Sequence, residues 1–197
     1  MTDLFRNRYR IPSAQAAWWD YANNGAYFIT ICTHDRVHLF GRITNGIMNL
    51  SDIGMVAHQC WMDIPAHFPF VELGAFVVMP NHVHGIIIID NQDNQIETQN
   101  FASPQNPSPQ NPSPQNQKSQ NKFGSQSKNL ASIIRGYKTG VTKYATMNNI
   151  PFKWQSLYHD HIIRNDGEYL RISEYIVNNP AKWEQDMFNK KDGKGLF

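Results

Sequence analysis

The stretch Ala75–Asp90, AFVVMPNHVHGIIIID, constrains the fold more than any other part of the chain. Two β-branched runs of strand length flank a polar knot, and only Pro80 and Asn81 separate them. This predicts a tight antiparallel hairpin, Phe70–Met79 paired with His82–Asp90. His82 and His84 stand two apart at the start of the second run. Side chains alternate faces along a strand, so both rings point one way and Val83 points the other, toward a core. Taken alone, the two imidazoles read as a satisfied structural pair. The second reading is half of a metal site, and it needs ligands from elsewhere in the chain.

The remaining pattern surrounds that hairpin. Residues 1–24 form a basic arm carrying Arg6, Arg8 and Arg10, then Trp18 and Trp19. Ala26–Thr33 reads as a strand, and Val37–Leu50 as a hairpin turning at Thr44-Asn45-Gly46. Ser51 and Asp52 can cap a helix running to about Pro65. Residues 91–128 change character: Asn, Gln, Ser and Pro dominate, and SPQNP recurs with period five from Ser103. Such a segment buries too little apolar surface to offset its ordering entropy, so it reads as a disordered insertion. Asn129–Met147 returns to a helix, Trp154–Arg164 reads as a strand, and Asp166 opens a last helix. Pro180 should stop that helix near Asn179. The order predicts an α+β domain with helices on one antiparallel sheet, spanning 25–183, followed by a tail at 184–197.

Composition excludes some classes. No apolar run approaches the roughly 18–20 residues that cross a bilayer, and the first residues lack an apolar signal segment. Cys32 and Cys60 are too few for a disulfide framework, which fits a reduced, cytoplasmic setting. The net charge is only +2, but no Lys or Arg occurs between Arg42 and Lys118. Basic residues gather at the two ends, where they could form a phosphate-binding face or ordinary solvated charge.

Tyr175 and Asn179, spaced i and i+4, share a face of the last helix. A tyrosine is a competent covalent nucleophile, and an asparagine offers a neutral oxygen ligand. Docked over the histidine strand, they complete a set of two imidazoles, one amide oxygen and one phenol. Three mixed nitrogen and oxygen ligands with open positions suit Mg²⁺ or Mn²⁺ rather than structural zinc. Attack by Tyr175 on a phosphodiester gives a phosphotyrosine and a free sugar hydroxyl. The bond energy is retained, so rejoining needs no nucleotide cofactor.

These residues carry a resemblance. Pro80-Asn81-His82-Val83-His84 before an apolar strand looks like the motif of HUH single-strand DNA nucleases. Tyr175-Ile176-Val177-Asn178-Asn179-Pro180 resembles the tyrosine helix of single-tyrosine transposases, most of all the REP-associated tyrosine transposases. His161–Asn165 is similar to the segment before that helix. The resemblance covers about residues 25–183. It implies a ferredoxin-like, RRM-like HUH fold and metal-dependent cleavage and rejoining of single-stranded or hairpin DNA by a monomer or homodimer, with no membrane partner. It implies catalysis by Tyr175 and metal binding by His82, His84 and Asn179.

Other readings stand beside this one. A non-catalytic RRM-like domain could hold hairpin nucleic acid without cutting it. Tyr169, Tyr137 and Tyr144 are rival nucleophiles, with Tyr137 on an apolar stripe. His159 and His161 form a second H-x-H pair that could compete for metal. Arg164, Lys138, Arg8 and Arg10 are the candidate DNA contacts, and Trp18, Trp19 and Trp154 could stack on bases or pack internally.

Overall fold

The computed structural model describes residues 24–90 and 128–189. The N-terminal arm with Arg8, Arg10, Trp18 and Trp19, the period-five insertion and the chain beyond 189 lie outside the described residues. The strands are β1 (Gly25–Cys32), β2 (Gly41–Thr44), β3 (Ile47–Leu50), β4 (Val71–Val78), β5 (His82–Ile89) and β6 (His159–Ile163). The helices are α1 (Asp52–Met62), α2 (Ile64–His67), α3 (Leu130–Met147) and α4 (Asp166–Asn178), and 3₁₀ turns occupy His34–Arg36 and Pro180–Gln185.

Local chemistry sets most boundaries. Ser51 accepts the Gly54 N–H as the N-cap of α1, and Asn129 and Ser132 form a reciprocal capping box at the start of α3. The β2–β3 turn places Asn45 and Gly46 at positive φ (53° and 74°), the geometry a two-residue hairpin demands. Met79, Pro80 and Asn81 join β4 to β5.

Four strands make one antiparallel sheet in the order β4-β5-β1-β6, and β2-β3 form a separate ribbon. With the crossings through α1 and α3, this is the split β-α-β arrangement of a ferredoxin-like α+β fold. Odd-numbered residues of β1 and β5 (Tyr27, Ile29, Ile31, Val83, Ile87, Ile89) face the main core under α1 and α3. Even-numbered residues face α4: Ile86 of β5 buries with Ile163, Ile172 and Ile176. Gly85 is required on the first face, because a Cβ there would lie 2.3 Å from the Trp61 indole.

One sequence expectation is corrected. The stretch Trp154–Arg164 is a strand only over His159–Ile163; Trp154 makes one isolated bridge to Thr33. The Gln155 N–H still donates to Cys32 O at the end of β1 (2.9 Å), but the carbonyls of Gln155 (2.9 Å) and Ser156 (3.4 Å) accept from the Lys138 ammonium of α3. In the described part of the expected tail, Phe188 buries with Trp183, Cys32 and Met79 of the domain. Among the described residues, no helix is long and apolar enough to cross a membrane.

Candidate active site and metal centre

Alternation along β5 turns His82 and His84 to the α4 side, with ring centroids 4.4 Å apart, and both rings are buried. Cross-strand register places Thr30 opposite His84 and Cys32 opposite His82. Thr30 Oγ1 lies 2.9 Å from His84 Nδ1, and Asn81 Oδ1 lies 2.8 Å from His82 Nδ1. Both rings are thus held at Nδ1, which leaves each Nε2 facing the space between β5 and α4.

Burial sets the charge state. It drives His82 well below the usual histidine value, helped by the neighbouring His84 and by Arg36 and His38. Burial, then His159, pushes His84 down to about 3, against a raising contribution from the Ile29 carbonyl. Neutral imidazoles with free ring nitrogens are what a metal ligand requires.

The helix α4 brings the second half. Asn165 caps it by accepting the Glu168 N–H. Ile172 and Ile176 then anchor it on Ile86 and Ile163. Burying two isoleucines supplies about 3–6 kcal/mol toward that docking. Tyr175 projects from the rim of this face, 43 % exposed, with its Oη 3.4 Å from His84 Nε2 and its ring edge-on to Phe28. Burial, then the Asp186 charge, raises the phenol, and the Asn179 amide opposes that. Burial likewise raises the Asp186 carboxyl, against the Phe188 N–H and then the same Asn179 amide. Asn179 is buried, and its Oδ1 has no hydrogen-bond partner among the described residues.

Asp186 is the member that sequence reasoning missed. It follows the 3₁₀ turn after α4, and its carboxylate accepts the Phe188 N–H at 2.7 Å. One ligand atom each from His82, His84 and Asp186 lies within 4.8 Å of the others. The fit to a divalent ion rests on orphaned atoms as well as on convergence. Among the described residues, neither His82 Nε2 nor Asn179 Oδ1, both buried, has a hydrogen-bond partner, a costly state that a bound cation would relieve. His82, His84 and Asp186 could hold the ion, with Asn179 Oδ1 as a further oxygen.

The rivals fall elsewhere. His161 Nε2 pairs with the Glu168 carboxylate at 2.8 Å, and Arg164 N–H also holds Glu168. Together they tie β6 to α4, and the ring is not presented to an ion. Tyr137 is buried in the main core. The Tyr169 hydroxyl lies over Gly74 of β4, away from the histidines. Trp154 packs against the core and donates to the Lys138 carbonyl. Arg164 is exposed, and Lys138 donates to the 155–156 backbone while also lining a groove along α3.

A groove of about 650 Å³ runs beside Tyr175, lined by Phe28, His159, Arg171 and Lys182 among others. A second, of about 680 Å³, follows α3 on the other side of the sheet and carries Arg135 and Lys143.

No protein-family model matches the chain. An uncharacterised Haemophilus influenzae protein is 42 % identical over 174 residues, covering 85 % of this chain and 87 % of that one. A second Haemophilus influenzae protein, provisionally assigned as a REP-associated tyrosine transposase, is 23 % identical over 164 residues, 83 % of this chain and 74 % of its own. Among solved structures, the REP-associated tyrosine transposase bound to a REP hairpin superposes with a TM-score of 0.53 at 18 % identity, over 86 % of this chain and 74 % of that one. By sequence and fold together, the chain belongs to one family with its 42 %-identical Haemophilus influenzae relative, and that family is related to the REP-associated tyrosine transposases.

Proposed function

We propose that the protein cleaves and rejoins single-stranded DNA beside a hairpin, through a phosphotyrosine on Tyr175. The observation that carries this reading is the placement of Tyr175 Oη 3.4 Å from His84 Nε2, at the mouth of the His82–His84–Asp186 cluster. A half-exposed candidate nucleophile stands over a buried set of candidate metal donors. Tyr175 Oη attacks phosphorus as the bond from phosphorus to the departing sugar oxygen breaks, and in net the phenol proton passes to that oxygen, which leaves as a hydroxyl. The freed hydroxyl can later reverse the step.

His82, His84 and Asp186 would hold the ion, with Asn179 oxygen beside them. Two imidazoles favour Mn²⁺ over Mg²⁺, which prefers oxygen donors and water. The bound cation would polarise the phosphodiester. Phe28 and the cations Arg171 and Lys182 line the groove where the strand would pass. Arg135 and Lys143 offer phosphate contacts for a hairpin stem on the α3 side. The catalytic domain on this reading is 25–183 together with the Asp186 segment. Binding without cleavage, the other reading, leaves the orphaned His82 Nε2 and Asn179 Oδ1 without a task.

The test is incubation with hairpin-bearing single strands from the host's own repeats and Mn²⁺, followed by a denaturing gel. Wild type should give a covalent protein–DNA adduct that EDTA and Tyr175→Phe both abolish. An adduct that survives Tyr175→Phe removes Tyr175 from the chemistry.

A further inference from the structure

The residue before the first histidine is more than the corner of a hairpin. Asn81 is fully buried, and its side-chain amide is engaged at both ends. Its Nδ2 donates to the carbonyl of Arg36 at 3.1 Å and to that of Phe188 at 2.8 Å. Its own carbonyl accepts the Thr33 N–H at 2.9 Å and the Thr33 hydroxyl at 3.0 Å.

Two carbonyls fix which way the amide points, since only an NH₂ can sit between them. Oδ1 is therefore the atom facing His82 Nδ1, at 2.8 Å. An amide oxygen only accepts, so His82 Nδ1 must donate. A neutral imidazole has one N–H, and with that hydrogen on Nδ1 the Nε2 lone pair is bare. Nε2 is also the buried atom that lacks a partner among the described residues. The ligand-ready tautomer is thus dictated by the carbonyls of Arg36 and Phe188, through one amide.

The nitrogen end does different work. Phe188 O is two residues beyond Asp186, and the Phe188 N–H is itself bonded to the Asp186 carboxylate. The Phe188 ring lies against His82, centroids 4.5 Å apart, with the Arg36 guanidinium 4.7 Å from its centroid. Holding Phe188 O therefore holds the loop from which Asp186 reaches the histidines.

We propose that Asn81 is a positioning residue for the metal centre, directing His82 Nε2 at the ion with its oxygen and latching the Asp186 segment with its nitrogen. This rests on the metal site proposed above, but its two halves can be read without metal. Outer-shell partners of this kind matter to metal affinity about as much as 10–100-fold.

The test uses full-length protein with ¹⁵N-labelled histidine. In metal-free wild type, long-range ¹H–¹⁵N spectra should show His82 protonated at Nδ1, and a nuclear Overhauser effect should link His82 to Phe188. Asn81→Ala should give a mixture of tautomers and lower Mn²⁺ affinity, by calorimetry, about 10–100-fold. Asn81→Asp, of equal size, keeps an acceptor for His82 but loses both donors. It should retain the Nδ1 proton and lose the Phe188 contact, and it serves if Asn81→Ala does not fold. A folded Asn81→Ala with the wild-type tautomer and affinity overturns the oxygen half. A persistent Phe188 contact in Asn81→Asp overturns the latch. If wild type shows the Nδ1 tautomer and the contact but no Mn²⁺ binding, the metal reading fails while Asn81 still orients His82 and holds the segment.

Discussion

Acidification should destabilise this protein through its buried histidines. His84 is held at about 3 in the folded state against an ordinary value of 6.5. A histidine depressed on folding adds no penalty above its unfolded value. Below that value the unfolded chain takes up a proton that the folded chain refuses, and stability is lost as pH falls toward the folded value. The loss is about 1.4 kcal/mol per pH unit. At pH 5, one and a half units below the unfolded value, His84 alone costs about 2 kcal/mol. His82, driven the same way by burial, deepens the loss. Against a total stability of about 5–15 kcal/mol this is a large fraction. The assay is urea unfolding of metal-free protein at pH 7, 6 and 5, wild type against His84→Gln, which keeps a partner for Thr30 but does not titrate there. Exposed histidines contribute equally to both and cancel. Wild type should lose about 2 kcal/mol more than the variant between pH 7 and pH 5. Parallel curves would refute the reasoning, because they would mean His84 is hydrated or protonated in the folded state.

Three further outcomes follow from the same geometry. Asp186→Ala should lower Mn²⁺ affinity, measured by calorimetry, by at least about 10–100-fold, the cost of losing even an outer-shell partner. Gly85→Ala should destabilise by about 1–3 kcal/mol in urea, the usual penalty for overpacking, since its Cβ would meet Trp61. Lys138→Met keeps the stem but drops the ammonium that ties down the 155–156 carbonyls. It should cost about 1.5–3 kcal/mol of stability and leave the salt dependence of single-strand binding, measured by fluorescence anisotropy, unchanged.

What the sequence displays is whatever a backbone period or a short-range cap determines. The period of two turned His82 and His84 to one face and Val83 to the other. Helical spacing placed Tyr175 and Asn179 together, and Ser51, Asn45-Gly46 and Pro180 marked their turns. The stretch 154–158 misled because it is apolar enough for a strand, while its carbonyls are taken by a lysine on α3 rather than by a neighbouring strand. That competition is tertiary and leaves no local mark.

Asp186 was hidden for a stronger reason. Nothing periodic links it to Tyr175, because Pro180 ends α4 and a 3₁₀ turn intervenes. Its position is set by three segments meeting: Trp183 and Phe188 pack with Cys32 and Met79, the Arg36 guanidinium donates to the Met187 carbonyl at 3.2 Å, and Asn81 takes the Phe188 carbonyl. The histidine pair is a property of one strand, and the tyrosine with Asn179 a property of one helix. The carboxylate belongs to neither, and it arrives only when the chain after α4 closes over β5. A donor set assembled this way carries its own folding requirement. The two imidazoles are neutral, and the one carboxylate of the donor set comes from a segment whose contacts also bury His82. Loosening that segment should therefore weaken metal binding and expose His82 together, while leaving the sheet intact.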